Sequence, residues 1–84
     1  MEKTTIQKIY DEFGNPGFAW FVDAAIKDGH TIANIQERDA GFGFEMDGLI
    51  MGFYAWMDAK EQLEHCYAML ENCRRMLEAC EMHK

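Results

Sequence analysis

The chain has 84 residues, 49% of them hydrophobic, and 15 acids against 8 lysines and arginines give a formal charge of −7. That length suits one domain, burying only about 60–65% of its unfolded surface, a size at which a second chain or a metal often adds stability. The acidity opposes direct nucleic-acid or anionic-membrane binding, the absence of serine excludes a serine nucleophile, and eleven aromatic side chains argue against disorder.

In chain order, Ile6, Ile9, Tyr10 and Phe13 recur at helical spacing and predict a first short helix. Thr4 with Gln7 fits a capping box, and Gly14 closes the helix. Asn15 then caps a second helix with Pro16 at its first position. That helix buries Phe18, Val22, Ala25 and Ile26 and stops at Gly29. From His30 to Met46 a β-branched stretch, a turn at Asp39–Gly41 and the alternation Phe42, Phe44, Met46 predict a small β-hairpin.

Residues 47–82 read as one long helix with Asp47 as its N-cap, because no proline follows Pro16 and no glycine follows Gly52. From residue 53 onward it would be about 48 Å long, against a radius of gyration of about 12 Å for a compact chain of this length. Such a rod either bends, near 58–61 in "DAKEQ", or projects toward a partner. The expected fold class is therefore α+β and predominantly helical. Two short helices occupy 1–29, a hairpin 30–46 and a heptad-bearing helix 47–82, in a single domain 1–84.

The stretch "QLEHCYAMLENCRRMLEAC" repeats LExC every seven residues. With Leu63, Leu70 and Leu77 at heptad position a, Cys66, Cys73 and Cys80 fall at d. Trp56 continues the a series backward, and Met69 and Met76 flank the stripe at g. A sustained 3,4 spacing keeps two helices in contact along a shared apolar line. A metal site explains less: residues seven apart on a helix are separated by about 10.5 Å, whereas two ligands of one zinc lie within roughly 4 Å of each other. The expected dimer seam is thus Trp56, Leu63, Cys66, Met69, Leu70, Cys73, Met76, Leu77 and Cys80, and no metal or other cofactor is expected. The same stripe read alternatively is an intramolecular contact or a groove for another protein.

The remaining chemistry is sparse. His30, His65 and His83 are dispersed, His30 reading as a solvated loop residue, and adjacent His65 and Cys66 diverge by about 100° on a helix, so they cannot act as base and nucleophile. "GFGFEMDG" matches neither a dinucleotide fingerprint nor a P-loop. No enzyme is expected. The aromatic surplus, with neighbouring acids, predicts a partner surface of Trp20, Phe42, Phe44, Tyr54, Glu37 and Asp39. The acids are evenly spread, eight against four bases before residue 46 and seven against four after it. The start "MEKTTIQK" has no signal-type apolar core, and "LIMGFYAWM" is far short of the ~20 residues that span a bilayer. A cytoplasmic location follows, with reduced cysteines.

Over residues 18–60 the stretches "GFAWFVDAAIKDGH", "GFGFE" and "LIMGFYAWMDAK", with Phe18, Trp20, Gly29, Gly41, Trp56, Ala59 and Lys60 as the matching positions, resemble small accessory proteins of temperate phages and prophages. It covers about half the chain, leaves the cysteine heptads outside, and transfers no functional residue. It implies a phage origin and action in the cytoplasm of a bacterial host. Small acidic phage proteins without active sites often bind and block a host protein, and the expectation is therefore a homodimer that blocks a host component such as a CRISPR–Cas-type defence protein (an anti-CRISPR). The alternatives are an acidic DNA mimic and a phage assembly component.

Overall fold

The computed structural model describes residues 3–82, with side chains through residue 79. Its first two helices start where short polar side chains satisfy free amides. Thr4 accepts from the Gln7 amide at 3.2 Å and opens α1 (Thr5–Phe13); Asn15 accepts from the Phe18 amide at 2.9 Å and opens α2 (Pro16–Lys27). The reciprocal half of the Thr4 capping box is not made, because the Gln7 carboxamide donates to Asp11 instead. Gly14 ends α1, its amide bonding back to the Tyr10 carbonyl.

Three antiparallel strands follow in the order β1-β2-β3: β1 (Ile32–Arg38), β2 (Gly41–Met46) and β3 (Leu49–Tyr54). The expected hairpin is therefore a three-stranded meander, and the helix expected from residue 47 is corrected. Asp47 and Gly48 both have positive φ, +51° and +86°, the signature of the type I′ turn that matches strand twist. They join Met46 to its partner Leu49. The run "LIMGFY" pairs along the whole of β2 in alternation, Met51 and Phe53 inward, Ile50 and Tyr54 outward. At Gly41 the opposing strand comes so close that an added Cβ would lie 1.9 Å from the Phe53 carbonyl oxygen. No other residue fits there.

β1 is an edge strand with a bulge. Asn34 and Ile35 together oppose Phe44, Asn34 adopts φ +54°, and its carboxamide donates to Glu45 at 2.7 Å. Such a bulge spoils a continuous pairing edge. The opposite edge, β3, is closed by a side chain. Gln62, fully buried, donates to the Gly52 carbonyl at 2.9 Å and accepts from the Tyr54 amide at 3.2 Å, as a residue of a fourth strand would.

Gln62 belongs to α3 (Ala59–Met82). Asp58 caps it, accepting from the amides of Lys60 and Glu61. The break expected near 58–61 is thus the start of the helix. All helices lie on one face of the sheet, and six phenylalanines fill the space between. Phe18 touches the other five, Phe13, Phe21, Phe42, Phe44 and Phe53, and stacks on Phe42 at 4.1 Å. Ile9, Leu63, Cys66 and Leu70 complete this cluster. The radius of gyration is 14.2 Å with extents of 50 × 30 × 21 Å, above the ~12 Å of a compact chain of this length. The excess comes from α3, about 36 Å long at 1.5 Å per residue, whose last three turns project past the core.

Candidate functional site

With the helices stacked on one face, no described element covers the other face of the sheet. Directly opposed residues share a face, so the register sets its composition: Arg38, Gly41 and Tyr54 form one row, Gln36, Gly43 and Gly52 the next, and Glu45 with Ile50 the third. The glycines leave a trough along β2, about 600 Å³ in volume. Arg38 lies across one wall, its Nε within 2.6 Å of where a Cβ on Gly43 would stand, and Tyr54 covers Gly52 from the other side. Trp56, in the turn after β3, stacks on Tyr54 at 5.5 Å and 28°. Trp56 is 73% exposed and Ile50 78%. The face thus grades from a polar rim with one cation, over bare backbone, to an apolar ridge of Ile50, Tyr54 and Trp56. Among the described residues Arg38 makes no ion pair.

The expected partner surface divides accordingly. Phe42 and Phe44 are buried, 7% and 3% exposed, and are corrected to core residues: β2 is the central strand, and their side points at α2. Tyr54 is on the open face. Asp39 lies at its end in the β1–β2 turn, and Glu37, opposite Phe42, is exposed on the helix side. Trp20 is 41% exposed on α2, which packs against the opposite face. Of the six, the open face gathers Tyr54 and Asp39 only. Trp56 joins them from the expected seam, where it cannot serve because it precedes α3.

The other seam residues also divide. Leu63 and Cys66 are buried in the chain's own core, so they are corrected from dimer seam to intramolecular contact. They sit on the part of α3 that lies against α2 and β3. Leu70 and Cys73 are half-buried, and Met69, Met76 and Leu77 are exposed, Leu77 by 66%. The side chain of Cys80 and all of His83 lie outside the described residues. Burial pushes the Cys66 thiol up, partly offset by the Gln62 carboxamide donating to Sγ at 3.6 Å. That thiol is a poor nucleophile and ligand.

A polar cluster joins the C-terminal end of α2 to the Asp47 turn and α3. Asp47 accepts from the Thr31 amide at 2.8 Å and pairs with His30 Nδ1 at 2.6 Å, while the Tyr67 hydroxyl donates to Asp28 at 2.7 Å. His30 is therefore not the solvated loop residue expected: it is one-quarter exposed and its ring meets that of Tyr67 at 4.7 Å. Burial, then the Asp28 carboxylate, push the Tyr67 phenol up and keep it protonated. The hydrogen bonds from His30 and Thr31 hold the Asp47 carboxyl below the usual carboxylate range. A depressed folded-state pKa adds stability above the unfolded value near 4, and that stability is lost as pH falls through the folded value. We expect Asp47→Asn to cost about 0.5–1 kcal/mol at pH 7, kept small by solvent screening. In urea unfolding at stepped pH, the gap from wild type should begin to narrow below about pH 5 and go on narrowing as the pH falls through the depressed folded value; a pH-independent gap would contradict the assignment.

Among the described residues the His30 ring bonds only Asp47, whose other carboxylate oxygen takes the Thr31 amide and hydroxyl, so the cluster latches these elements together. Among the described residues no group of three or more His, Cys, Asp or Glu side chains is placed to hold a metal ion, and no helix is long and apolar enough to cross a membrane. Comparison with protein-family models, with curated proteins and with solved structures finds no match for the chain. The described residues present an open, partly apolar sheet face and a projecting helix end with Met76 and Leu77 exposed.

Proposed function

We propose that the chain is a non-enzymatic binding protein of phage origin that dimerises through the C-terminal half of α3 and acts by covering a host protein, a defence component such as a CRISPR–Cas-type protein being the class expected. The observation that carries this reading is the ridge of Ile50, Tyr54 and Trp56 on the open face of the sheet. Three large apolar side chains, two of them over 70% exposed, contribute nothing to the core. Aromatic anchors ringed by polar groups are what protein interfaces concentrate. Ile50 and Tyr54 stand on paired β3 and Trp56 stacks on Tyr54, so little conformational entropy is lost when the ridge is covered. The surrounding acidity speeds encounter with a basic partner surface. The mechanism is steric occlusion.

The test compares affinity capture from bacterial lysate by wild type and by Ile50→Asp/Trp56→Ala. Both positions are exposed, so stability should change by no more than about 0.5 kcal/mol each. The reading expects a stoichiometric host protein with wild type that the double variant fails to retain. A partner retained equally by both would overturn the assignment of the sheet face.

A further inference from the structure

We propose that the projecting end of α3 forms an antiparallel, two-fold seam with a second copy of this chain. This rests on the dimer reading above and specifies its geometry. On a helix of 100° per residue, Leu63, Cys66, Leu70, Cys73 and Leu77 point within an arc of about 80°. They form one continuous apolar line. Its first part is already filled: Leu63 and Cys66 are buried and Leu70 packs on the same cluster. Its second part, Cys73 and Leu77, with Met76 beside it, continues beyond the core into solvent. The free stretch is the extension of an interface the chain already makes with itself.

That half-covered line decides the orientation. A parallel, in-register partner would have to run along it from Leu63 to Leu77. There it would collide with α2 and β3, which occupy the line up to Leu70. An antiparallel partner needs only the free end. With the two-fold axis near residue 75, Leu77 meets the partner's Cys73, Cys73 meets the partner's Leu77, and the two bodies lie at opposite ends. Each layer then sets a large side chain against a small one, which fills the space evenly. A parallel pair would stack leucine on leucine and cysteine on cysteine.

Charge favours a second copy as the occupant. The chain carries −7 overall, yet residues 71–79 hold two acids, Glu71 and Glu78, and two bases, Arg74 and Arg75. Glu71 and Arg75 pair within the helix at 2.9 Å. This end is neutral, so two copies approach there without the repulsion they feel elsewhere. Arg74 flanks the seam near the partner's Arg74, a like-charge contact that Glu78, one turn away on each helix, offsets. About three turns from each copy lie at the low end of stable interfaces, so the dimer should depend on concentration.

The experiment uses the full chain. Sedimentation velocity across a concentration series establishes whether a dimer forms. Orientation is then read by mild copper–phenanthroline oxidation of two variants. One retains Cys73 (Cys80→Ala); the other places a thiol at position 77 (Cys73→Ala/Cys80→Ala/Leu77→Cys). Cys66 is buried in both, and Cys73→Ala/Cys80→Ala controls for it. The antiparallel seam expects a cross-linked dimer only when the two variants are mixed, because each thiol alone sits roughly 6 Å along the axis from its copy. Cross-linking of either variant with itself would overturn the orientation and leave the dimer standing. A dimer with no cross-link in any sample would place the seam elsewhere. A monomer at every concentration would remove both the orientation and the dimer reading.

Discussion

Replacing Phe18 with alanine is expected to cost about 4 kcal/mol, the range for a fully buried phenylalanine whose cavity cannot collapse. A chain of this size holds only about 4–13 kcal/mol in total, so the variant should be largely unfolded or lose more than about 15 °C in Tm. Phe18 is 0% exposed and touches every other phenylalanine, from α1 through α2 to β2 and β3. Its stacking on Phe42 and its contacts with Phe44 and Phe53 tie α2 to two strands at once. No neighbour can move inward without opening another gap. Phe18→Leu fills most of the volume and should cost about half as much. Urea unfolding of the two variants measures the difference. A loss below about 1.5 kcal/mol for Phe18→Ala would mean that the aromatic cluster is not what joins the helices to the sheet.

The second large effect is expected at Gln62. Gln62→Leu keeps the volume but leaves the Gly52 carbonyl and Tyr54 amide without their partner. Each unsatisfied buried group costs about 1–3 kcal/mol, and the pair should cost about 2–4 kcal/mol. Gln62→Glu should be no better, since a carboxylate cannot donate to the Gly52 carbonyl and its charge would be buried. Because the carboxamide also closes the β3 edge, the leucine variant should exchange the Tyr54 amide faster with solvent and aggregate more readily. Hydrogen exchange resolved at Tyr54 and chemical unfolding check both parts. Unchanged protection there would show that α3 guards the edge without this side chain.

Much of the fold is legible in local chemistry. Thr4, Asn15 with Pro16, and Gly14 mark helix ends because each satisfies or relieves backbone groups that have no partner. The alternation of Phe42, Phe44 and Met46 marks a strand covered on one face. The main error lies at Asp47–Gly48. An Asp-Gly pair between two apolar runs is a strong hairpin signal, but "GLIMGFYAWM" lacks a charged residue and also satisfies a helical pattern. A short apolar run does not distinguish the two by periodicity; the Asp-Gly turn does, and so does Gly52, which disfavours a helix interior. Once β3 is a strand, Asp58 is the natural N-cap and Trp56 leaves the seam.

The candidate site was legible only in part. Tyr54 and the apolar stripe of α3 are visible as residue types at suitable spacing. That Phe42 and Phe44 turn inward while Ile50 and Trp56 turn outward depends on which face of β2 the helices cover, which is a tertiary choice. Gln62 carries no local signal: a polar residue at a helix g position normally faces solvent, and only the nearby strand edge gives it a reason to be buried. Gly41 and Gly43 have no side chain to pattern, and only the paired sheet makes them the floor of a trough.

The reading that this chain works by recognition through its sheet face is tested most directly by the affinity of Trp56→Ala for the captured host protein, measured by titration calorimetry beside wild type. Trp56 stacks on Tyr54 and is otherwise exposed, so the substitution should leave the urea midpoint unchanged. As a central aromatic anchor it should contribute about 2 kcal/mol or more to binding, roughly a 30-fold loss of affinity. Full affinity in a folded Trp56→Ala protein would contradict the account and move the binding surface off the open face of the sheet.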